Sequence, residues 1–147
     1  NLFHPQQHKK HNAIKIVPET KKWLMPNDGF YVLVKRFSSK EEKRRVVAYI
    51  INPKEIHQLW IGFENHWNVF HVNKHGMDEL VAKGLACFLN STELDQHFRV
   101  FSGHTQVNAT DLRNIKFPTL ETLRELGRYY KTSMSQEQID RILQGVL

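Results

Sequence analysis

The chain has 147 residues, of which 40% are hydrophobic and 24% charged, and its net charge is +6 at pH 7. This composition is typical of one soluble globular domain with a hydrophobic core, and no apolar run approaches the roughly 20 residues of a membrane-spanning helix. Cys87 is the single cysteine, which excludes an internal disulfide or a cysteine-based zinc cluster and favours a buried thiol in a reducing compartment.

The first residues are polar and contain few apolar anchors. We therefore expect residues 1–20 to form a lead-in or linker, followed by one domain over residues 21–147. The chain starts at Asn1 rather than at a methionine, and we expect it to be part of a longer protein.

Strand patterns follow in the N-terminal half. Residues 30–34 and 46–51 are rich in aromatic and β-branched side chains, which predicts two strands. The polar connection at 35–45 predicts that they form a hairpin with a long basic loop. Two further short strands are predicted at 60–63 and 67–72. Their aromatic side chains are interpreted as the core of a hairpin, and the alternative is a nucleic-acid or partner surface.

Apolar residues change to helical spacing from Met77 onward. This spacing predicts one helix over 77–88 and a second over 91–101, begun by a serine cap. An extended segment is predicted at 110–117, then a helix over 119–127 that a glycine closes. A capping box at Ser135 begins the last helix. The fold class is therefore predicted to be α+β, with a strand-rich N-terminal half containing hairpins and a helical C-terminal half packed against the sheet.

The connection at 35–45 carries the strongest compositional signal for a binding function. Its lysines and arginines exceed its acids by four charges. Such clusters favour phosphate backbones, because binding releases condensed counterions, and serine hydroxyls add hydrogen bonds to phosphate oxygens. The alternative is a solvated hairpin tip. The candidate DNA-contacting residues here are Lys35, Arg36, Ser38, Ser39, Lys40, Lys43, Arg44 and Arg45.

Two other polar stretches are candidates. The loop at 102–108 is dense in donors and acceptors, and Gln and Asn side chains bond bidentately to adenine in the major groove. The alternative is that these side chains cap each other and the backbone. The stretch at 64–68 mixes polar groups with aromatic ones. The candidates are Ser102, His104, Thr105, Gln106 and Asn108 in the first stretch, and His66 and Asn68 in the second.

Metal and nuclease interpretations are weaker. His66, His71 and His75 fit no standard zinc spacing, and no metal site is predicted. Asp28 followed by 41–43 loosely imitates a magnesium-dependent nuclease, but these charges are better explained as ordinary loop residues.

Catalytic motifs are absent from the sequence. It contains no glycine-rich loop after a strand to hold S-adenosylmethionine or a nucleotide, no P-loop, and no usefully spaced nucleophile and histidine. Residues 52–55 read Asn-Pro-Lys-Glu, which is not the Asn/Asp-Pro-Pro-aromatic loop of adenine methylation. The chain by itself is therefore not expected to catalyse a reaction, and no catalytic residue or cofactor site is predicted within it.

Four stretches in this order resemble a known family. They are residues 29–42, 60–66, 84–91 and 101–112, which contain Gly-Phe-Tyr-Val-Leu-Val-Lys-Arg-Phe-Ser-Ser-Lys-Glu-Glu, Trp-Ile-Gly-Phe-Glu-Asn-His, Gly-Leu-Ala-Cys-Phe-Leu-Asn-Ser and Phe-Ser-Gly-His-Thr-Gln-Val-Asn-Ala-Thr-Asp-Leu. Together they resemble the C-terminal target-recognition region of adenine-specific DNA methyltransferases from bacterial restriction–modification systems, of the TaqI-like class. The resemblance covers about residues 20 to 145. The apolar-Leu-Asn-Ser stretch on a helix, followed by a polar loop and an apolar-Pro segment, also resembles target-recognition domains more widely, including specificity subunits of multi-subunit restriction enzymes.

The resemblance implies a parent enzyme with an N-terminal catalytic domain that binds S-adenosylmethionine and methylates adenine after flipping the base out of the duplex. It implies that the C-terminal domain binds double-stranded DNA and reads its sequence, so the two loops become candidates for DNA contact. The expected partners are double-stranded DNA and the missing catalytic domain, and no membrane partner is expected. The expected location is the bacterial cytoplasm. Two alternatives remain, a protein-interaction domain that docks on the catalytic or restriction partner, and a small magnesium-dependent nuclease.

Overall fold

A computed structural model of the chain describes residues 13–103 and 105–147, so residues 1–12 of the predicted lead-in and His104 lie outside the described residues. Strands occupy the N-terminal half and helices the C-terminal half, which confirms the predicted α+β class. The strands are β1 (Leu24–Pro26), β2 (Tyr31–Lys35), β3 (Ala48–Ile51), β4 (Trp60–Gly62) and β5 (Trp67–Phe70). The helices are α1 (Pro18–Lys21), α2 (Glu79–Leu89), α3 (Thr92–Phe101), α4 (Ala109–Arg113), α5 (Leu120–Tyr129) and α6 (Gln136–Val146), with a short 3₁₀ turn at Pro53–Glu55.

Strand β2 is the centre of an antiparallel sheet with the order β3-β2-β5. Its pairing with β3, in which Val34 lies opposite Ala48, confirms the hairpin with the long basic connection. Strand β5 pairs with the other edge of β2. Strand β4 pairs instead with β1, in a separate two-stranded sheet where Ile61 lies opposite Met25. The interpretation of β4 and β5 as a hairpin is therefore wrong, because β4 pairs with β1 and β5 pairs with β2.

Alternate side chains of β2 enter two hydrophobic cores on opposite faces of the sheet. Val32 and Val34 pack with the helices. Tyr31 and Leu33 pack on the other face with Ile61 and the small second sheet. Burial on both faces explains why β2 is almost continuously apolar. None of the described helices is long and apolar enough to cross a membrane.

Helices α2 and α5 pack closely through two glycines. A Cβ atom at Gly84 would overlap the backbone carbonyl of Leu123, and one at Gly127 would overlap the backbone carbonyl of Leu80. The prediction that Gly127 ends its helix is therefore wrong, since α5 continues to Tyr129. Gly127 is needed for helix contact rather than for helix termination.

Side-chain caps begin the C-terminal helices. The prediction of caps at Ser91, Thr119 and Ser135 is confirmed, because each side chain accepts a backbone N–H from the first turn of its helix. The predicted extended segment at 110–117 is wrong in its first part. Helix α4 begins there, because the Asn108 side chain accepts the N–H of Asp111 at 2.9 Å and starts a helical turn.

Asn90 closes the outer edge of the three-stranded sheet. Its side-chain oxygen accepts the N–H of Ala48 at 2.8 Å, and its Nδ2 donates to the carbonyl of Ala48 at 3.0 Å. The amide thus takes the place of a further strand beside β3. Nearby, Cys87 is buried as expected, and this burial raises the pKa of its thiol to about 12, which makes it an inert structural residue.

Candidate nucleic-acid interface

The structure joins the stretches that the sequence separates. The N–H of Ser38 donates to the carbonyl of Thr105 at 3.1 Å, and the N–H of Val107 donates to the carbonyl of Arg36 at 2.6 Å. Asn68, on β5, donates from its Nδ2 to the carbonyl of Val107 at 2.6 Å. Residues 35–45, 64–68 and 105–108 therefore form one continuous region at one end of the sheet, which we call the loop surface.

Lysines supply the exposed positive charge of the loop surface. Lys40 and Lys43 are exposed, as is Lys35, although its Nζ lies 3.9 Å from Glu42 Oε1. Arg36 is half-buried and donates to the carbonyl of Asn65 at 2.8 Å. This arrangement leaves Lys40 and Lys43 as the cations best placed to meet an approaching polyanion.

Other predicted contact residues are internal, and this corrects the sequence-based assignment. Only 1% of Arg45 and 4% of Ser38 is exposed, and Arg45 Nε donates to Ser38 Oγ at 3.0 Å. The Arg45 guanidinium also lies over the ring of Phe98, at 5.7 Å. Arg44 is half-buried and donates to the carbonyl of Asn90 at 2.6 Å. Ser38 and Arg45 are therefore internal and present neither hydroxyl nor charge at the surface, whereas Arg44 binds the end of α2 while remaining partly exposed.

Two residues of α3 anchor the basic loop, and the sequence did not reveal this role. Asp95 is 6% exposed, and its carboxylate accepts the N–H of Arg45 at 2.6 Å and Nε of Arg99 at 2.7 Å. The Arg99 guanidinium donates to the loop carbonyls of Lys40 at 2.9 Å and Glu42 at 2.8 Å. The i,i+4 spacing of Asp95 and Arg99 was the available signal. It predicts an ion pair but not what the pair holds.

Within the polar loop at 102–108, the structure divides the candidates. Ser102 is buried, and Asn108 is half-buried as the cap of α4, so the capping alternative applies to Asn108. Thr105 and Gln106 are exposed beside the basic loop. His104 lies outside the described residues. Among the described residues of this loop, Thr105 and Gln106 are therefore the ones whose side chains are accessible to a partner.

Substitution of Asn108 by alanine tests its capping role. We expect the free energy of unfolding to fall by about 1 kcal/mol, because the N–H of Asp111 loses its acceptor. Asn108→Asp, which keeps the acceptor, should restore the stability in urea denaturation. An Asn108→Ala variant with unchanged stability but altered ligand selectivity would instead return this residue to the contact surface.

The nuclease and metal patterns do not assemble. The Asp28 carboxylate accepts the N–H of Gly76 at 2.8 Å and lies 2.6 Å from Nδ1 of His75, and these contacts hold the pKa of Asp28 below its usual value. Asp28 precedes β2, whereas residues 41–43 follow it, so the length of the strand separates them. Over residues 13–103 and 105–147, no group of three or more His, Cys, Asp or Glu side chains is arranged to hold a metal ion. Among the described residues, Asp28 and residues 41–43 are therefore not brought together.

Comparisons with known proteins identify relatives of the chain. It is 49% identical to the type II methyltransferase M.BsuBI of Bacillus subtilis, over 100% of this chain and 30% of that relative. It is 45% identical to the type II methyltransferase M.PstI of Providencia stuartii, over 92% of this chain and 27% of that relative. No protein-family model and no solved structure matches the chain. Its homologues are thus type II methyltransferases, of which it spans less than a third.

Proposed function

We propose that the chain is the DNA target-recognition domain of an adenine-specific, S-adenosylmethionine-dependent methyltransferase of a bacterial restriction–modification system, of the TaqI-like class. The observation that carries the proposal is the hydrogen-bonded union of the basic loop with the exposed polar residues Thr105 and Gln106. Adenine specificity and the cofactor rest on the family resemblance of the four sequence stretches. Methyl transfer and S-adenosylmethionine binding belong to the remainder of the parent enzyme, which acts in the cytoplasm.

The loop surface offers the two kinds of contact that sequence recognition needs. Exposed lysines neutralise phosphates of any sequence and fix the orientation of the domain on the duplex. Exposed amide and hydroxyl groups, as in Gln106 and Thr105, bond to base edges, which alone carry the sequence. Residues 36–38 and 105–107 form a short antiparallel ribbon, and a two-stranded β-ribbon is one of the elements that the major groove admits.

Charge reversal at Lys40 and Lys43 tests the proposal. We expect Lys40→Glu with Lys43→Glu to weaken binding to every duplex by at least about tenfold at 0.1 M salt, and to flatten the plot of log K against log salt by about 1.8, at 0.9 per lost phosphate contact. Fluorescence anisotropy titrations of labelled duplexes at several salt concentrations measure both. The matched control is Lys54→Glu with Lys131→Glu, which makes the same charge change at exposed residues outside the loop surface.

Two outcomes contradict the proposal. Equal affinity losses in the two double variants would assign the effect to net charge alone. No duplex affinity even at low salt would favour the alternative, a protein-interaction domain that docks on the catalytic or restriction partner. Aromatic exposure gives that alternative little support at the predicted positions, since Trp60 and Trp67 are half-buried, the first beneath Lys21 and the second against Tyr49.

A further inference from the structure

Phe37 is an exposed aromatic residue within the polar loop surface. It is 45% exposed, while the next residue, Ser38, is buried. The hydrogen bonds from Ser38 to Thr105 and from Val107 to Arg36 flank Phe37 on both sides and fix its backbone. Its side chain is therefore held outward by the ribbon, and its ring packs at 6.0 Å from that of His66.

The partner of Phe37 in the ribbon is Gln106. The two residues face each other as an antiparallel pair, and the two hydrogen bonds come from their neighbours. In such a non-hydrogen-bonded pair the Cα atoms lie about 4.5 Å apart and the side chains lie on the same face. An apolar ring and a primary amide thus stand side by side on an exposed part of the loop surface.

This pair matches the edge of one A·T base pair. In the major groove adenine presents N7 and its N6 amine, which a glutamine amide bonds bidentately. The paired thymine presents O4 and its C5-methyl group, which takes apolar contact from residues such as phenylalanine. Guanine and cytosine offer no methyl group, and their donor and acceptor pattern does not match glutamine in the same way.

We propose that Phe37 and Gln106 together read one A·T base pair of the target through the major groove, with Gln106 on adenine and Phe37 on the thymine methyl group. This proposal rests on the proposed recognition function and deepens it by naming two specificity-determining residues. Lys40 and Lys43 then supply the phosphate contacts that hold the ribbon in the groove.

The experiment removes the methyl group from the DNA and the ring from the protein. A duplex preferred by the 147-residue chain is selected from a random pool, and each thymidine in it is replaced in turn by deoxyuridine. At one position we expect wild-type affinity to fall about fourfold, the factor for one buried methyl-sized group. Phe37→Ala should bind the unmodified duplex about as weakly as the wild type binds the deoxyuridine duplex, and deoxyuridine at that position should not lower its affinity further. Phe37→Leu should still lose affinity when deoxyuridine is introduced there.

Gln106→Ala should lose its preference for the A·T pair at that same position, by about tenfold or more. Leu59→Ala is the matched control, since Leu59 is 83% exposed and lies outside the loop surface. We expect this variant to bind and discriminate like the wild type. Circular dichroism of all variants checks that each remains folded.

Each contrary outcome is distinct. If the wild type selects a sequence but Phe37→Ala still responds to deoxyuridine, or if Gln106→Ala relaxes a different base pair, the joint reading is wrong while the recognition function stands. A selected duplex without an A·T requirement has the same meaning. If the wild type selects no sequence at all, both the recognition function and this inference fail.

Discussion

Substitution of Asp95 by alanine is expected to lower the free energy of unfolding by about 2–3 kcal/mol, because it leaves the buried N–H of Arg45 without an acceptor. It also breaks the ion pair with Arg99, which holds the loop carbonyls. Urea denaturation measures the loss. Asp95→Asn keeps an oxygen of the same reach and should recover part of this stability. A fall below about 1 kcal/mol for Asp95→Ala would mean that the carboxylate does not anchor the loop.

Under the proposed function we expect the anchor to affect duplex binding as well, because an ordered loop presents its lysines without a further loss of entropy. Asp95→Ala and Arg99→Ala should therefore weaken duplex binding, although neither residue belongs to the loop surface. Thr119→Ala is the control, since it removes the cap of α5 and lowers stability by about 1 kcal/mol without contacting the loop. Normal affinity in Arg99→Ala, with loss in Thr119→Ala, would contradict a positioning role for α3.

Substitution of Gly84 by alanine is also expected to lower the free energy of unfolding strongly. We expect a loss of about 3 kcal/mol or more, at the upper end for overpacking, because the new Cβ atom would overlap the backbone carbonyl of Leu123. A backbone group cannot rotate away as a side chain does, so α2 and α5 must separate. Differential scanning calorimetry or urea denaturation measures this loss.

Gly145 provides a matched control in α6. Among the described residues, a Cβ atom at Gly145 would meet nothing within 4 Å. Gly145→Ala should therefore raise stability slightly, by up to about 1 kcal/mol, since alanine is the better helix former. If Gly84→Ala were equally well tolerated, the close contact between α2 and α5 would be wrong.

Asp95 and Arg99 are the residues that hold the basic loop in one arrangement. The basic loop is fixed to α3 through Asp95 and Arg99, and the polar loop leads from the end of α3 to the capped start of α4. Helix α3 therefore anchors the basic loop directly, and the polar loop follows it in the chain. Under the proposed function, changes in this helix are expected to alter DNA recognition without touching the DNA, which makes α3 a useful target for separating positioning from contact.

Elements with local signals could be predicted from the amino-acid sequence alone. Aromatic and β-branched content located β2 and β3, helical spacing located α2 and α3, and the oxygen side chains of Ser91, Thr119 and Ser135 marked helix starts. The four matched stretches indicated a methyltransferase, and the relatives of the chain are type II methyltransferases.

Burial, helix contact and loop pairing depend on residues that are distant in the sequence, so they became visible only in the fold. Arg45 and Lys43 look alike in the sequence, yet Arg45 is buried against Ser38 and Phe98 while Lys43 is exposed. The sequence predicts that Gly127 ends a helix, whereas in the fold Gly127 allows the carbonyl of Leu80 to approach closely. The union of the two loops depends on hydrogen bonds between residues about seventy positions apart, from Ser38 to Thr105 and from Val107 to Arg36. The charge and the secondary-structure propensity of a residue can be read from its identity. Its burial and its hydrogen-bond partners depend on the residues that the fold places next to it.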